Sequence, residues 1–199
     1  MSNIIIPAWT KVIEESAFAD CTLLSNVVTP EKLTEIKETA FYNCESLSNI
    51  VIPNNSQISN IGERAFCYCH SLSSITIPSR VTRIQEGTFD DCDTLLDITI
   101  PNGVEYIDAS AFDSCSSLST ITFPNGLVSI GDSAFNYCKE VVCYDFTQLS
   151  SIPTLSGVNT FGSVDSLHPD CKIRVPASLE TQWKAATNWT VYADHIVGV

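Results

Sequence analysis

A phenylalanine followed three residues later by a cysteine returns at near-constant spacing along this chain. Phe18, Phe41, Phe66, Phe89, Phe112 and Phe135 are separated by 23, 25, 23, 23 and 23 residues, and Phe161 follows after 26. Six cysteines trail them: Cys21, Cys44, Cys69, Cys92, Cys115 and Cys138. Three residues further on stands Leu24, Leu47, Leu72, Leu95, Leu118 or Val141. An isoleucine precedes each phenylalanine by five, at Ile13, Ile36, Ile61, Ile84, Ile107 and Ile130. The unit reads LxxIxIPxxVxxIxxxAFxxCxS with a period of 23. A unit this short cannot bury its own apolar side chains. Stacked copies can, each coil covering the next.

Each part of the unit has a physical reading. LxxIxI alternates with period two, which puts one face of a short strand in the core. Its β-branched residues suit a pleated surface, and proline ends it because it cannot donate to a ladder. Eight such strands are expected, at 3–6, 26–29, 49–52, 74–77, 97–100, 120–123, 143–146 and 172–175. A second short extended piece centres on the isoleucine before each AF. The xxAFxx segment is too short for an ordinary helix and reads as one helical turn. Seven gaps between parallel strands make a solenoid about 34 Å long. Like side chains then stack over like, leucine on leucine and phenylalanine on phenylalanine.

The pattern loosens after Cys138. Thr147 stands where a proline is expected, and Val164 takes the cysteine place after Phe161. In ASLETQWKAATNW, Ser178 can cap a helix, and Leu179, Trp183 and Ala186 fall on one face. Residues 177–188 are therefore expected to form a helix sealing the end of the core. The chain divides into a repeat array over 1–146 and degenerate last coils with a C-terminal cap over 147–199, one continuous domain. At the start, Ile4, Ile6 and Pro7 occupy strand positions of a coil that lacks its phenylalanine and cysteine. Two readings stand there: a minimally capped edge, or missing preceding sequence.

The net charge of −13 bears on partners. No base occurs between Arg83 and Lys139, an interval holding nine acids from Glu86 to Asp132. Such a surface repels phosphate backbones and anionic membranes, which argues against nucleic acid. No apolar run approaches the roughly 20 residues a membrane helix needs, and no signal peptide is visible at MSNIIIPAWT.

Nine cysteines allow four readings. A metal site needs a closed ligand shell, whereas this row is linear and Val164 in its seventh slot is no ligand. A catalytic thiol needs a base and an electropositive setting, but His70, His168 and His195 are scattered among acids. Disulfides stay open, since stacked cysteines sit about 5 Å apart by Cα, within bridging range. Identical directions in register suit the bridging dihedral poorly. The favoured reading is a small, soft core residue whose thiol donates weakly to loop carbonyls.

Other constellations are weak. Asp90-Asp91-Cys92-Asp93 supplies oxygens for calcium but lacks a glycine-turned loop and a bidentate acid at suitable spacing. Asn54-Asn55-Ser56 and Asn188-Trp189-Thr190 match glycosylation acceptors. Asp165, His168, Asp170 and Cys171 gather in the irregular 147–171 stretch, where an enzyme site would have to lie; the plain alternative is a polar loop. No P-loop, zinc-protease, nucleophile-elbow or dinucleotide motif occurs. No catalytic residue, metal or cofactor is assigned.

The candidate binding face is the outward row of the sheet: Val28, Val51, Thr76, Thr99, Thr122, Asp145 and Arg174, continuing Ile5. Good cross-strand packing of β-branched residues explains much of it. The face spans about 500 Å² in plan, less than the about 800 Å² per partner of specific interfaces. Loops such as the insertion within Asn54–Asn60 would have to join in.

The AFxxC and TFxxC units from Phe18 to Phe135, with the LxxIxIP strands, resemble the BspA-like leucine-rich repeat family of bacterial and protist surface proteins over about residues 3–146. The tail YADHIVGV also resembles the C-terminal end of many relatives, which implies a native terminus. The resemblance implies a right-handed leucine-rich repeat solenoid, with a parallel sheet on one face and short extended or 3-10 turns on the other. It further implies a non-enzymatic, adhesion-type role at a cell surface or in secreted form, toward a protein or extracellular-matrix ligand. The alternative is a structural spacer or display segment of a longer surface protein.

Overall fold

The computed structural model describes residues 2–53 and 57–199. The alternating stretches form one short strand per coil: Asn3–Ile5, Asn26–Val28, Asn49–Val51, Ser74–Thr76, Asp97–Thr99, Thr120–Thr122, Cys143–Asp145 and Lys172–Val175. They run parallel, with like positions side by side: Val27 on Ile50, Ile75 on Ile98, Ile121 on Tyr144, Tyr144 on Ile173. In the three-residue strands from Asn26–Val28 to Cys143–Asp145 the central residue is buried and the last residue looks outward, as period two dictates. Among the described residues the hydrogen-bonded ladder is interrupted twice. One break lies between Asn49–Val51 and Ser74–Thr76, the other between Asp97–Thr99 and Thr120–Thr122.

A ninth strand, Ile196–Gly198, extends the expected eight by pairing parallel to Lys172–Val175. The tail has no LxxIxIP signature, so only its docking reveals it. Ile196 is buried beside Ile173 and continues the core row.

The isoleucine before each AF lies in a second line of two-residue strands: Val12–Ile13, Glu35–Ile36, Asn60–Ile61, Arg83–Ile84, Tyr106–Ile107, Ser129–Ile130 and Thr154–Leu155. The AF segment itself is not the expected helical turn. In the coil of Phe41, alternate amides close local turns: Ala40 to Lys37, Tyr42 to Thr39 and Cys44 to Phe41, at 3.3, 3.0 and 3.2 Å. The amides between them leave the coil: Thr39 donates to Glu63, Phe41 to Ala65 and Asn43 to Cys67, at 2.9, 2.8 and 2.8 Å. Left-handed residues make this possible, Thr39 at φ 52° and Asn43 at φ 56°. The pair recurs two residues before and after the phenylalanine, for instance as Gly87 and Asp91, and as Ser110 and Ser114. A helical turn would spend every amide within the coil. The chain of β-turns instead sends alternate amides to its neighbour, which satisfies backbone groups that stacking buries.

The phenylalanines form a column inside. Ring centroids from Phe18 through Phe41, Phe66, Phe89, Phe112 and Phe135 to Phe161 lie 5.1, 5.3, 5.7, 5.3, 5.1 and 6.0 Å apart, with planes within 17° of parallel. Those distances fall in the preferred range for aromatic pairs. The two-residue insertion between Phe41 and Phe66 leaves the column intact.

At the C-terminal end a 3-10 turn, Ala177–Leu179, leads into a helix, Glu180–Ala185, shorter than the expected 177–188. Ala186 turns extended, at φ −72° and ψ 148°. That break lets Trp189 fold back to 4.6 Å from Trp183, with both indoles against Phe146. A second 3-10 segment, Thr190–His195, carries buried Tyr192 onto Phe161. Among the described residues no helix is long and apolar enough to cross a membrane.

Candidate binding face

The repeat decides where each cysteine goes. One coil after each phenylalanine, a thiol donates back to that phenylalanine's carbonyl. Cys44 reaches Phe18, Cys69 Phe41, Cys92 Phe66, Cys115 Phe89 and Cys138 Phe112, at 3.1, 3.3, 3.3, 3.1 and 3.2 Å. Each of these Phe carbonyls already accepts the amide of the cysteine three residues on, as Phe41 does from Cys44 at 3.2 Å, and the thiol from the next coil adds a second donor to its remaining lone pair. All nine cysteines are free thiols, seven of them buried. Burial pushes the Cys44 thiol up to about 12 and holds Cys69, Cys92 and Cys115 well above the usual thiol range. Such thiols are poor nucleophiles.

Several polar groups of the acidic and irregular segments are taken up in local contacts. Asp93 is spent on His70, 2.9 Å away. Burial, then the charges of Asp91 and Asp113, push the Asp90 carboxyl up to about 6. Among the described residues no three His, Cys, Asp or Glu side chains are grouped to hold a metal ion. In the 147–171 stretch, the His168 Nδ1 accepts from the Asp170 amide at 3.1 Å, while the Cys171 carbonyl lies 3.1 Å from His195 Nδ1. Asp165 sits exposed in a separate 3-10 turn. Asn188 spends its amide on the Leu155 carbonyl at 2.7 Å. Asn54-Asn55-Ser56 lies outside the described residues.

The outward row of the sheet is where its side-chain period places it. Val28 pairs with Val51, Thr76 with Thr99, and Thr122 with Asp145, which pairs in turn with Arg174. Val28 and Val51 are exposed, as is Ile5 beside them at 78%. Asp145 and Arg174 neutralise each other across 3.1 Å. The row extends one rung further than expected, to Val197 beside Arg174. A neighbouring polar row begins with Asn26 donating to Asn3 at 2.7 Å.

Beside this row, at the second break in the ladder, lies a groove of about 730 Å³. Thr99 and Thr122 of the outward row line it together with Asn102, Asn125 and Gln148. The last three stand one coil apart, just past the strand ends. Asn102 and Asn125 occupy the first corner of matching turns closed by Val104 to Pro101 and Leu127 to Pro124, at 3.0 and 3.1 Å. These amides are absent from the sequence reading. The signal for them was the triplet Pro-Asn-Gly returning at 101–103 and 124–126.

The two ends of the solenoid differ. At the C-terminal end Tyr192 accepts from the Phe161 amide at 3.2 Å, where inner coils offer a carbonyl. At the other end, no amide among the described residues donates to the carbonyls of Glu15, Ala17 and Ala19. Cys21 is exposed there beside Leu23, which is 73% exposed.

Comparison with known proteins agrees with this architecture. The family described as BspA type leucine rich repeat region, in six copies, matches residues 1–96 and 82–169. A leucine-rich repeat protein of T. pallidum is 28% identical, with a TM-score of 0.66 over 70% of this chain and 66% of that one. A leucine-rich cell surface protein of Faecalibacterium prausnitzii is 23% identical, with a TM-score of 0.55 over 89% of this chain and 64% of that one. A leucine-rich repeat protein of Bacteroides ovatus is 20% identical, with a TM-score of 0.51 over 100% of this chain and 66% of that one. The chain thus spans a little under two thirds of the length of these solved relatives. No curated protein matches it. From the repeat, its stacking and the span of the match, the chain belongs to the BspA-type leucine-rich repeat family.

Proposed function

We propose that this chain is a non-catalytic scaffold whose outward sheet row binds a protein or extracellular-matrix ligand at a cell surface. The observation that carries the reading is the row itself. Val28, Val51, Thr76, Thr99 and Thr122 are exposed on a rigid parallel sheet and apolar or neutral, on a chain of net charge −13. A neutral strip on an acidic body is a surface a partner can cover without stripping water from charges. The surface location draws on the F. prausnitzii relative, which is described as a cell surface protein. We assign residues 1–146 to the array and 147–199 to its last coils and cap.

The test is binding to immobilised matrix proteins and host ectodomains by biosensor, comparing the native chain with a Val51→Glu, Thr76→Glu, Thr99→Glu variant. Loss of binding with an unchanged melting curve supports the face. Equal binding by the variant sinks it.

A second reading, a spacer within a longer repeat array, is favoured by the acceptor carbonyls of Glu15, Ala17 and Ala19, which match the amides a further coil would offer. A chain lengthened by one repeat at that end would then melt higher and shield Cys21 from thiol reagents.

A further inference from the structure

The groove between Asp97–Thr99 and Thr120–Thr122 differs in chemistry from the rest of the surface. Some exposed polar rungs elsewhere are tied to each other, as in Asn26 with Asn3, Arg83 with Asp108 and Arg174 with Asp145. Here the side chains of Thr99, Thr122, Asn102, Asn125 and Gln148 make no hydrogen bond among the described residues. The backbone is unspent too. Phe123 donates to Asp145 at 2.9 Å, but one coil earlier the Ile100 amide makes no equivalent bond to Thr122. None of the residues lining the groove is charged, although the chain carries 23 acids.

We infer that this groove is a binding site for a neutral oligosaccharide, held by the amide row Asn102, Asn125 and Gln148 and the hydroxyls of Thr99 and Thr122. The inference deepens the reading of the outward row as a binding face and rests on it. Side-chain amides offer a donor and an acceptor side by side, the pattern that vicinal sugar hydroxyls require, and threonine hydroxyls serve as either. The three amides recur once per coil, so a chain of sugars lying along the solenoid meets an equivalent group at each step. The volume of about 730 Å³ falls in the usual range of ligand sites. Sulfated or sialylated chains are disfavoured by the surrounding acids. A peptide would need pockets for its side chains, whereas this wall is lined with hydrogen-bonding groups.

The experiment is binding of the full chain to an array of neutral oligosaccharides of three to six residues, printed beside sulfated and sialylated glycans and extended peptides, followed by calorimetry with the best neutral chain. Asn125→Ala and Gln148→Ala are the test variants, since both side chains are exposed and the backbone turns do not depend on them. Each is expected to weaken neutral-glycan binding about tenfold, the equivalent of one well-made hydrogen bond to a ligand, with melting unchanged. Lys139→Gln, exposed and outside both the row and the groove, is expected to leave glycan binding intact, and Val28→Glu with Val51→Glu tests the protein-binding row separately. A blank neutral array, a preference for sulfated glycans or peptides, or equal affinity in both amide variants overturns the inference. If matrix binding is lost in the Val28/Val51 variant while the glycan array is blank, the groove assignment fails and the face stands. If glycans bind and the Val28/Val51 variant keeps matrix binding, the row fails as the protein-binding face.

Discussion

The Tyr192 hydroxyl accepts a hydrogen bond from the Phe161 amide at 3.2 Å, in the place where inner coils present a backbone carbonyl. The same hydroxyl is 2.6 Å from the Val158 carbonyl and 3.0 Å from that of Gly162. One side-chain oxygen thus ends the run of coil-to-coil bonds without leaving the last amide buried and unpaired. Tyr192→Phe removes that oxygen and strands the Phe161 amide. It should cost about 1–3 kcal/mol, read as a lower urea midpoint, with faster hydrogen exchange concentrated at Phe161.

Phe112 stacks between Phe89 and Phe135 and is fully buried. Phe112→Ala opens a cavity that neighbours on both sides cannot fill without leaving their own column. The expected loss is about 3–5 kcal/mol. An unchanged denaturation midpoint would refute the column as a source of stability.

Tyr144 makes the opposite case. It occupies the central strand position between Ile121 and Ile173, fully buried, and its hydroxyl has no hydrogen-bond partner among the described residues. Burying that group costs free energy with no return. Tyr144→Phe keeps the ring packed against Phe161 and should leave stability unchanged or raise it by about 1 kcal/mol. A clear loss in the same denaturation assay would show that the hydroxyl is satisfied in solution.

Asp90 gives a pH dependence. Its carboxyl is pushed up to about 6 in the folded chain, against about 3.9 when unfolded. Between those values the folded state holds the proton more tightly, so this group adds stability as pH falls from about 6 to about 4 and withdraws it as pH rises. Asp90→Asn should therefore raise the urea midpoint at pH 7 and have little effect at pH 4. Asp91 and Asp113 are raised as well, so the slope should shrink in the variant without vanishing.

Thiol accessibility separates the cysteines. Cys21 is exposed, Cys143 is half-buried and the other seven are buried. A maleimide probe followed by mass spectrometry should label Cys21 first and Cys143 more slowly in the native chain. All nine should react once denatured; fewer would reveal bridges.

Much of the fold was legible because a repeated constraint leaves a repeated mark. Period two in LxxIxI placed Val28 and Val51 outward and Val27 and Ile50 inward, and the structure keeps that division. The cysteine row was legible as core for the same reason. The AF turns were not, because nothing local distinguishes a helical turn from a turn chain whose alternate amides serve the next coil. That choice depends on a neighbour 23 residues away.

By itself the sequence determined the period, the core rows and the direction in which each strand side chain looks, since those follow from side-chain alternation and the need to bury apolar residues. Only the tertiary structure decided where the ladder breaks, which end is closed by Tyr192, that Ile196–Gly198 becomes a ninth strand, and that Asn102, Asn125 and Gln148 share one groove wall with Thr99 and Thr122. Each of these depends on how one coil sits on another, and the free energy that sets it comes from contacts between residues far apart in the chain.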